Sequence, residues 1–500
     1  MSLINVTGLT FYYDGSYDNI FEDVSFQIDT GWKLGLIGRN GRGKTTFLNL
    51  LMGRYEYKGT IHASVRFDYF PFPITDPSLN TLDAVESFAP DCELWRICRE
   101  LTYLDMDADI LYRPFHTLSM GERTKVMLAV LFAREHNFLL IDEPTNHLDQ
   151  DGRKLLMNYL SHKSGFILVS HDRNFLDGCI DHVLAINKCN IEVSQGNFTT
   201  WWENKKNRDS FELAENERLK KDILHLSEAA KQTKDWSDQI ERTKIGAHVF
   251  DRGLVGHKSA KMMKRAKNAE NRMQEAIDEK SSLLKNIETT ENLKLFPLTH
   301  HKDTLVQITD LTIRSGDRFV TQGLTFSIKN GQRILLKGKN GCGKSSVIKA
   351  LLGELSDYTG TIETASGLII SYVSQDTSWL SGTLDDFAEA CGLNLTLFKA
   401  LLRKLDFSRV QFEKPMEDFS GGQKKKVLIA KSLCEQAHLY IWDEPLNFID
   451  IFSRMQIEEL IRTYRPTMLL VEHDSFFTDE IATDTIEWRE GAVRVPGNIG

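Results

Sequence analysis

Two phosphate-loop motifs lie 300 residues apart in this 500-residue chain. The first is Gly38-x-x-x-x-Gly43-Lys44-Thr45 and the second Gly338-x-x-x-x-Gly343-Lys344-Ser345. Each follows an apolar strand-like run (Lys33–Ile37 before the first) and opens a helix-like one, the strand-loop-helix context such a loop requires. Three further pairs keep register with them: Ser119 with Ser420 at 301, Asp142 with Asp443 at 301, and His171 with His473 at 302. Four motifs holding one offset mean an internal duplication. The fold class expected is α/β, with two tandem nucleotide-binding domains of phosphate-loop type.

The chemistry of each motif follows from its residue types. The glycines let backbone N–H groups close on a phosphate, Lys44 can reach the β- and γ-phosphates, and the Thr45 hydroxyl can ligate Mg2+. The run Phe138–Ile141 reads as a buried parallel strand. Asp142 at its end is placed to hold Mg2+, and Glu143 to orient or deprotonate an attacking water. The segment GFILVSHD reads as another buried strand, ending in His171, a contact for the γ-phosphate. Ser119, followed by Gly121 and a helix, is either an anion site at a helix N-terminus or an ordinary N-cap. Ser345, Asp443, Glu444 and His473 repeat these roles in the second half.

Between the halves runs a different kind of sequence. No Gly or Pro occurs from Asn204 to Ile245, and apolar residues recur at Leu219, Ile223, Leu226, Ala230, Trp236 and Ile240, one face of a helix. A second stripe, Met262, Ala266, Ala269, Met273, Ala276, Leu283 and Ile287, follows a cluster of Gly246, Gly253 and Gly256. The pattern predicts an antiparallel helical hairpin with a first arm on the order of 60 Å long. Its tip, about 242–272, is basic: Arg242, Lys244, Arg252, Lys258, Lys261, Lys264, Arg265, Lys267 and Arg272 outnumber Glu241, Asp251 and Glu270. In a chain of net charge -9, that local reversal points to a polyanionic partner, or else to a solvated coiled-coil face.

Composition excludes several classes. The overall acidity argues against general nucleic-acid affinity, so such contact must be local. No apolar run reaches the ~18 residues of a membrane span, and the N-terminus lacks the pattern of a secretory signal. The seven cysteines are scattered, with no CxxC pair or zinc spacing, which fits free thiols in a reducing cytoplasm.

Phosphate loop, Ser-Gly-Gly-Gln signature, Asp-Glu-Pro strand end and His switch, in that order, resemble an ATP-binding-cassette ATPase over essentially the whole chain. Two cassettes with a hairpin linker resemble the ABC-F class of translation-associated ATPases. WKLGLIGRNGRGKTT, GHKSAKMMKRAKNAENR and WDEPLNFID resemble its Lsa-type antibiotic-resistance proteins. The domains expected are residues 1–200, 201–295 (the linker) and 296–500. The resemblance implies head-to-tail closure on two ATP molecules, with Mg2+, in a monomer whose cassettes pair within the chain. One site would use Tyr13 (on adenine), Gly38, Asn40, Gly41, Gly43, Lys44, Thr45, Thr46, Asp142, Glu143 and His171. Ser420, Gly421, Gly422 and Gln423 would complete it from the other half. The second would use Gly338, Asn340, Gly341, Gly343, Lys344, Ser345, Ser346, Gln375, Asp443, Glu444 and His473, completed by Ser119, Gly121 and Glu122. Mg2+ would lie on Thr45 and Asp142, and on Ser345, Gln375 and Asp443. The implied partner is the bacterial 70S ribosome, meaning large-subunit rRNA and P-site tRNA. It would be approached by the ATP-closed form near the tRNA exit site through tip residues including Val249 and Phe250.

Several positions depart from the family pattern. Phe72 stands where Gln375 stands in the second half. Met120 replaces the first signature glycine. Leu446 and Phe448 replace the usual Thr and His, and Ser315 an aromatic. These make the two sites inequivalent. The extra arm hairpin of many housekeeping members is absent between Phe72 and Ser119, and no basic extension precedes the end at Gly500. Three functional readings follow: ribosome protection against lincosamides, streptogramin A compounds and pleuromutilins; a housekeeping translation factor; and the ATPase half of an exporter.

Overall fold

The computed structural model describes residues 2–13, 19–90, 92–135, 137–146, 148–187, 190–243, 267–268, 272, 293–315, 318–339, 341–489 and 492–494, with only the helical backbone over 230–243. By contacts the chain divides into two units, Met1–Trp201 with Thr290–Gly500, and Trp202–Thr289.

The first unit contains the duplication. In its N-terminal half, β1 (Leu3–Phe11), β2 (Phe21–Asp29) and β4 (Lys58–Ala63) form an antiparallel sheet in the order β2-β1-β4. A six-stranded sheet follows the order β5-β6-β7-β3-β8-β9, from β3 (Lys33–Ile37), β5 (Arg66–Phe70), β6 (Asn137–Asp142), β7 (Phe166–Val169), β8 (His182–Asn187) and β9 (Asn190–Gln195). All its pairings are parallel except β8 with β9. The C-terminal half repeats both sheets strand for strand. β10 (Thr304–Ser315), β11 (Arg318–Lys329) and β13 (Tyr358–Thr364) make the small one. β14 (Ile370–Val373), β15 (Leu439–Asp443), β16 (Met468–Val471), β12 (Arg333–Lys337), β17 (Asp484–Arg489) and β18 (Ala492–Arg494) make the large one, in that order.

The strands carrying the motifs are unbroken apolar runs because both faces of a parallel sheet are covered. Phe138, Leu140 and Ile141 on β6, and Leu439, Tyr440 and Ile441 on β15, are at most 1% exposed. Burial of each such side chain contributes about 1.5–3 kcal/mol. In each half the phosphate-loop strand, the switch-histidine strand and the carboxylate strand are immediate neighbours, β3-β7-β6 and β12-β16-β15. Their carboxyl ends therefore deliver the motifs to one edge of the sheet, where open α/β sheets bind ligands.

The expected first linker arm is a helix, Phe198–Thr243, longer at its start than the Gly- and Pro-free stretch suggests. At about 1.5 Å per residue its 46 residues span about 69 Å. Its first turn is tied down by Phe198 and Trp201, both buried, with the Trp201 ring edge-on to Phe452. Lys267, Asn268 and Arg272 are helical. Lys244, Val249, Phe250, Arg252, Lys258, Lys261, Lys264 and Arg265 lie outside the described residues, as does the side chain of Arg242.

Candidate active site

β3 runs into the first phosphate loop, and a helix begins at Lys44. Gly43 caps it at φ 92°, a left-handed conformation. A Cβ there would lie 2.6 Å from Ile20, so sterics and backbone both demand glycine. Lys44 Nζ folds back over the loop, donating to the Gly38 carbonyl at 2.7 Å and to Arg39 O and Asn40 Oδ1 at 3.3 Å. Burial lowers its pKa, against the pull of Asp450, Glu143 and Asp142. Lys344 repeats the posture, donating to Gly338 O at 2.7 Å and Lys339 O at 3.1 Å.

The carboxylates lie beside these loops. Thr45 Oγ1 donates to Asp142 Oδ2 at 3.1 Å, and the Tyr69 hydroxyl donates to the same oxygen at 2.8 Å. Burial raises the pKa of Asp142 and, in the second half, of Asp443, where Ser345 opposes it. Asp443 Oδ1 is buried without a hydrogen-bond partner among the described residues. A buried carboxylate beside a hydroxyl, with oxygen valence unfilled, fits a small hard cation that also takes phosphate oxygens.

Glu143 and Glu444 both adopt left-handed backbone, at φ 53° and 48°. Such a conformation costs on the order of 1–3 kcal/mol for a non-glycine residue and is retained where the surroundings enforce it. Here each amide is held by the histidine strand, Glu143 N to Val169 O and Glu444 N to Val471 O, both at 2.9 Å.

Electrostatically the two glutamates diverge. Burial, then Asp142, pushes Glu143 up to about 8. His171 Nε2 lies 3.2 Å from its Oε1, and burial together with Lys44 and Arg454 keeps that imidazole neutral. Burial would raise Glu444 as well, but His473, Gln375 and Lys344 together bring it below the ordinary value. Gln375 Nε2 and Asn447 Nδ2 donate to Glu444 Oε2 at 2.8 and 2.7 Å. His473 lowers Glu444 most and Gln375 adds to it, an amide that the first half lacks because its counterpart there is Phe72. Phe72 is buried and stacked on Phe88, centroids 3.8 Å apart, and offers Glu143 no amide.

The first phosphate loop faces the signature of the other half. Asn40 Nδ2 donates to Phe448 O at 3.0 Å, Arg39 forms an ion pair with Asp406, and the Arg39 guanidinium lies 5.6 Å over the Phe452 ring. Between them is a cavity of about 280 Å³. Asn40, Gly41, Glu143 and His171 line it from one cassette, and Ser420, Gly421, Gly422, Gln423, Lys426 and Phe448 from the other. Ser420 caps its helix in a capping box with Gln423, which directs the helix N-terminus at the cavity edge. A Cβ on Gly422 would lie 2.4 Å from Phe448 O of its own half and 3.3 Å from Asn40 Nδ2 of the other, so glycine is demanded mainly by packing within the second cassette. Beneath, Lys426 is paired with Asp450 at 2.8 Å and Arg454 with Asp474 at 2.9 Å, all four nearly fully buried.

The second site is assembled on its phosphate-loop side: Lys344, Ser345, Asp443, Glu444, His473 and Gln375 share one edge of β12, β15 and β16. Gln375 contacts Glu444 directly. Ser119 caps its helix through a capping box with Glu122, the N-cap geometry, and Met120 is 50% exposed. Asn340 lies outside the described residues. Tyr13 is 42% exposed, edge-on to Phe11 and Tyr55, with its hydroxyl 2.8 Å from the buried Thr46 Oγ1.

Sequence reasoning missed Tyr69, Arg39, Asp406, Lys426 and Asp450. Asp406 and its repeat counterpart Asp105 both adopt positive φ, 65° and 52°.

Two duplicated cassettes, each bringing a phosphate loop, a strand-end carboxylate pair and a switch histidine together, define an ATPase of the ATP-binding-cassette class. A family model described as "ABC transporter" matches residues 21–146 and 321–447, about half of the chain. The chain belongs to that family, in its ABC-F branch. It is 27% identical to the ribosome protection protein VmlR of Bacillus subtilis (strain 168), covering 94% of this chain and 84% of that one. It is 26% identical to the energy-dependent translational throttle protein EttA of Haemophilus influenzae, covering 94% and 89%. Among solved structures, the archaeal ribosome recycling factor aABCE1 in complex with ribosomal stalk protein aP1 has the same fold, with TM-score 0.60 and 18% identity over 97% of this chain and 88% of that one.

Proposed function

We propose that this ATPase binds the bacterial ribosome in its ATP-closed state and protects it from antibiotics acting at the peptidyl-transferase centre, namely lincosamides, streptogramin A compounds and pleuromutilins. It would bind near the tRNA exit site with the basic tip of segment 201–295 directed at the drug site, and hydrolysis would release it. The observation that carries closure is the cavity lined by both a phosphate loop and the opposite signature. An ATP molecule there touches both cassettes and so favours the closed state over the open one. The ribosome as target is supported by the similarity to VmlR, by the long helix leaving the first cassette, and by the lack, among the described residues, of any helix long and apolar enough to cross a membrane.

Within each site Lys44 or Lys344 would leave its loop carbonyls for the phosphates, and the switch histidine would touch the γ-phosphate. The glutamate would take the proton of the attacking water. Thr45 with Asp142, and Ser345 with Asp443 and Gln375, would hold Mg2+, which would neutralise charge on the transferred phosphoryl group.

The test is co-sedimentation of a Glu143→Gln, Glu444→Gln variant with bacterial ribosomes. Pelleting that requires ATP is expected, whereas a variant that stays in the supernatant at moderate salt with ATP rejects the ribosome as target. Replacing Val249 or Phe250 should then change drug susceptibility of expressing cells while leaving ATPase activity intact. The similarity to EttA favours a second reading, a translation factor without a drug role. Tip changes that leave every drug phenotype unaltered would select it.

A further inference from the structure

The duplication supplies an internal control for surface charge. Helix Leu395–Lys404 and the turn after it repeat helix Leu94–Tyr103 and its turn. From 394 to 415 the second cassette carries Lys399, Arg403, Lys404, Arg409 and Lys414 against Asp406 and Glu413. From 93 to 114 the first carries Arg96, Arg99 and Arg113 against Glu93, Glu100, Asp105, Asp107 and Asp109. The same fold needs no basic residues here, since Cys98, Thr102 and Ala108 stand where Lys399, Arg403 and Arg409 stand. In an acidic chain, the reversal is not a demand of packing.

The basic residues line a cleft of about 580 Å³: Lys399, Arg403 and Arg409 with Phe407, Phe412 and Glu413. Arg403 and Arg409 are exposed, and no carboxylate pairs with either among the described residues. Lys399 is shared with Asp385 at 2.5 Å. The Arg403 guanidinium lies 5.7 Å over the Phe412 ring. Unpaired guanidinium groups interleaved with an aromatic face suit a phosphodiester backbone carrying stackable bases. An acidic peptide would use the charge but leave the aromatic face idle. The cleft also backs onto the nucleotide cavity, because Phe407 lines both, and its neighbour Asp406 holds Arg39 of the other cassette.

We propose that this cleft on the helical subdomain of the second cassette is an RNA-binding surface, gripping the sugar-phosphate backbone beside the first ATP site. As a ribosomal contact it rests on the function proposed above; as an RNA site it stands on the cleft alone.

The test adds Arg403→Glu and Arg409→Glu to the Glu143→Gln, Glu444→Gln chain with ATP. Fluorescence polarisation of a labelled RNA hairpin should show affinity at least about tenfold weaker, with a log Kd against log salt slope smaller by about 2. Arg403→Lys with Arg409→Lys should keep most of the binding, which separates lost charge from lost fold. Equal RNA affinity with and without the charge reversal overturns the proposal, as does an acidic peptide that binds the cleft while the hairpin does not. In ribosome co-sedimentation, a reversed variant that pellets like its parent removes the cleft as a contact but leaves the ribosome as target. A parent that does not pellet rejects the ribosome, and the hairpin measurement then decides the cleft by itself.

Discussion

At the scale of residues, Phe72 against Gln375 is one of the differences between the two sites. Gln375 neutralises part of the cost of burying Glu444, while Phe72 cannot do so for Glu143. The consequence is a pH dependence with a definite sign. The Glu143 carboxyl is raised from 4.5 to about 8, so between those values the unfolded chain has released a proton that the folded chain keeps. Stability contributed by the neutral form is complete below about 4.5 and lost as pH rises through about 8. Glu143→Gln should therefore raise the melting temperature relative to the parent at pH 8.5 and change it little at pH 5. A uniform effect across pH would refute the assignment. Activity should split as well. With Glu444→Gln, the remaining hydrolysis depends on Glu143 and should climb through pH 8. With Glu143→Gln, it depends on Glu444 and should be flat there, because that carboxyl is already ionised.

At the scale of elements, the joint between cassettes rests on groups drawn from loops far apart in sequence. Arg173, at the start of helix Arg173–Cys179, forms a buried ion pair with Glu458 of helix Ile451–Tyr464 and lies 4.0 Å over the Phe476 ring. Removing one partner leaves a buried charge uncompensated. Arg173→Ala should cost about 3–5 kcal/mol in urea denaturation, while Arg173→Met with Glu458→Leu should cost far less. If the double variant loses the sum of the single losses, the pair is not coupled. None of these partners was legible beforehand. Arg39 reads as a loop filler, and Asp406 lies in a stretch without a motif. Ion pairs across 367 residues arise only when two helices and a loop are brought together.

At the scale of the whole molecule, closure should depend on the signature as much as on the phosphate loop. In the Glu143→Gln, Glu444→Gln chain, ATP at about 100 times Kd should stabilise by roughly 2.7 kcal/mol per site, seen as a higher Tm. Ser420→Arg fills the cavity edge from the opposite cassette, leaves Lys44 untouched, and should remove the share due to the first site. Full ATP stabilisation in that variant would mean that the cavity is not where nucleotide bridges the halves.

The sequence by itself determined the duplication, the α/β class, and the placement of Lys44, Asp142, Glu143, His171 and their counterparts at strand ends. It could do so because phosphate binding requires particular residue types at short spacings, and because strands buried on both faces must read as apolar runs. The tertiary structure alone decided that Phe72 turns into the core onto Phe88, that Tyr69 reaches Asp142, and that Gly422 lies against Phe448 of its own half and Asn40 of the other. It alone decided that Arg403, Arg409 and Phe412 share a cleft. Those facts depend on packing between segments tens to hundreds of residues apart, where neither local propensity nor periodicity records which side chain meets which.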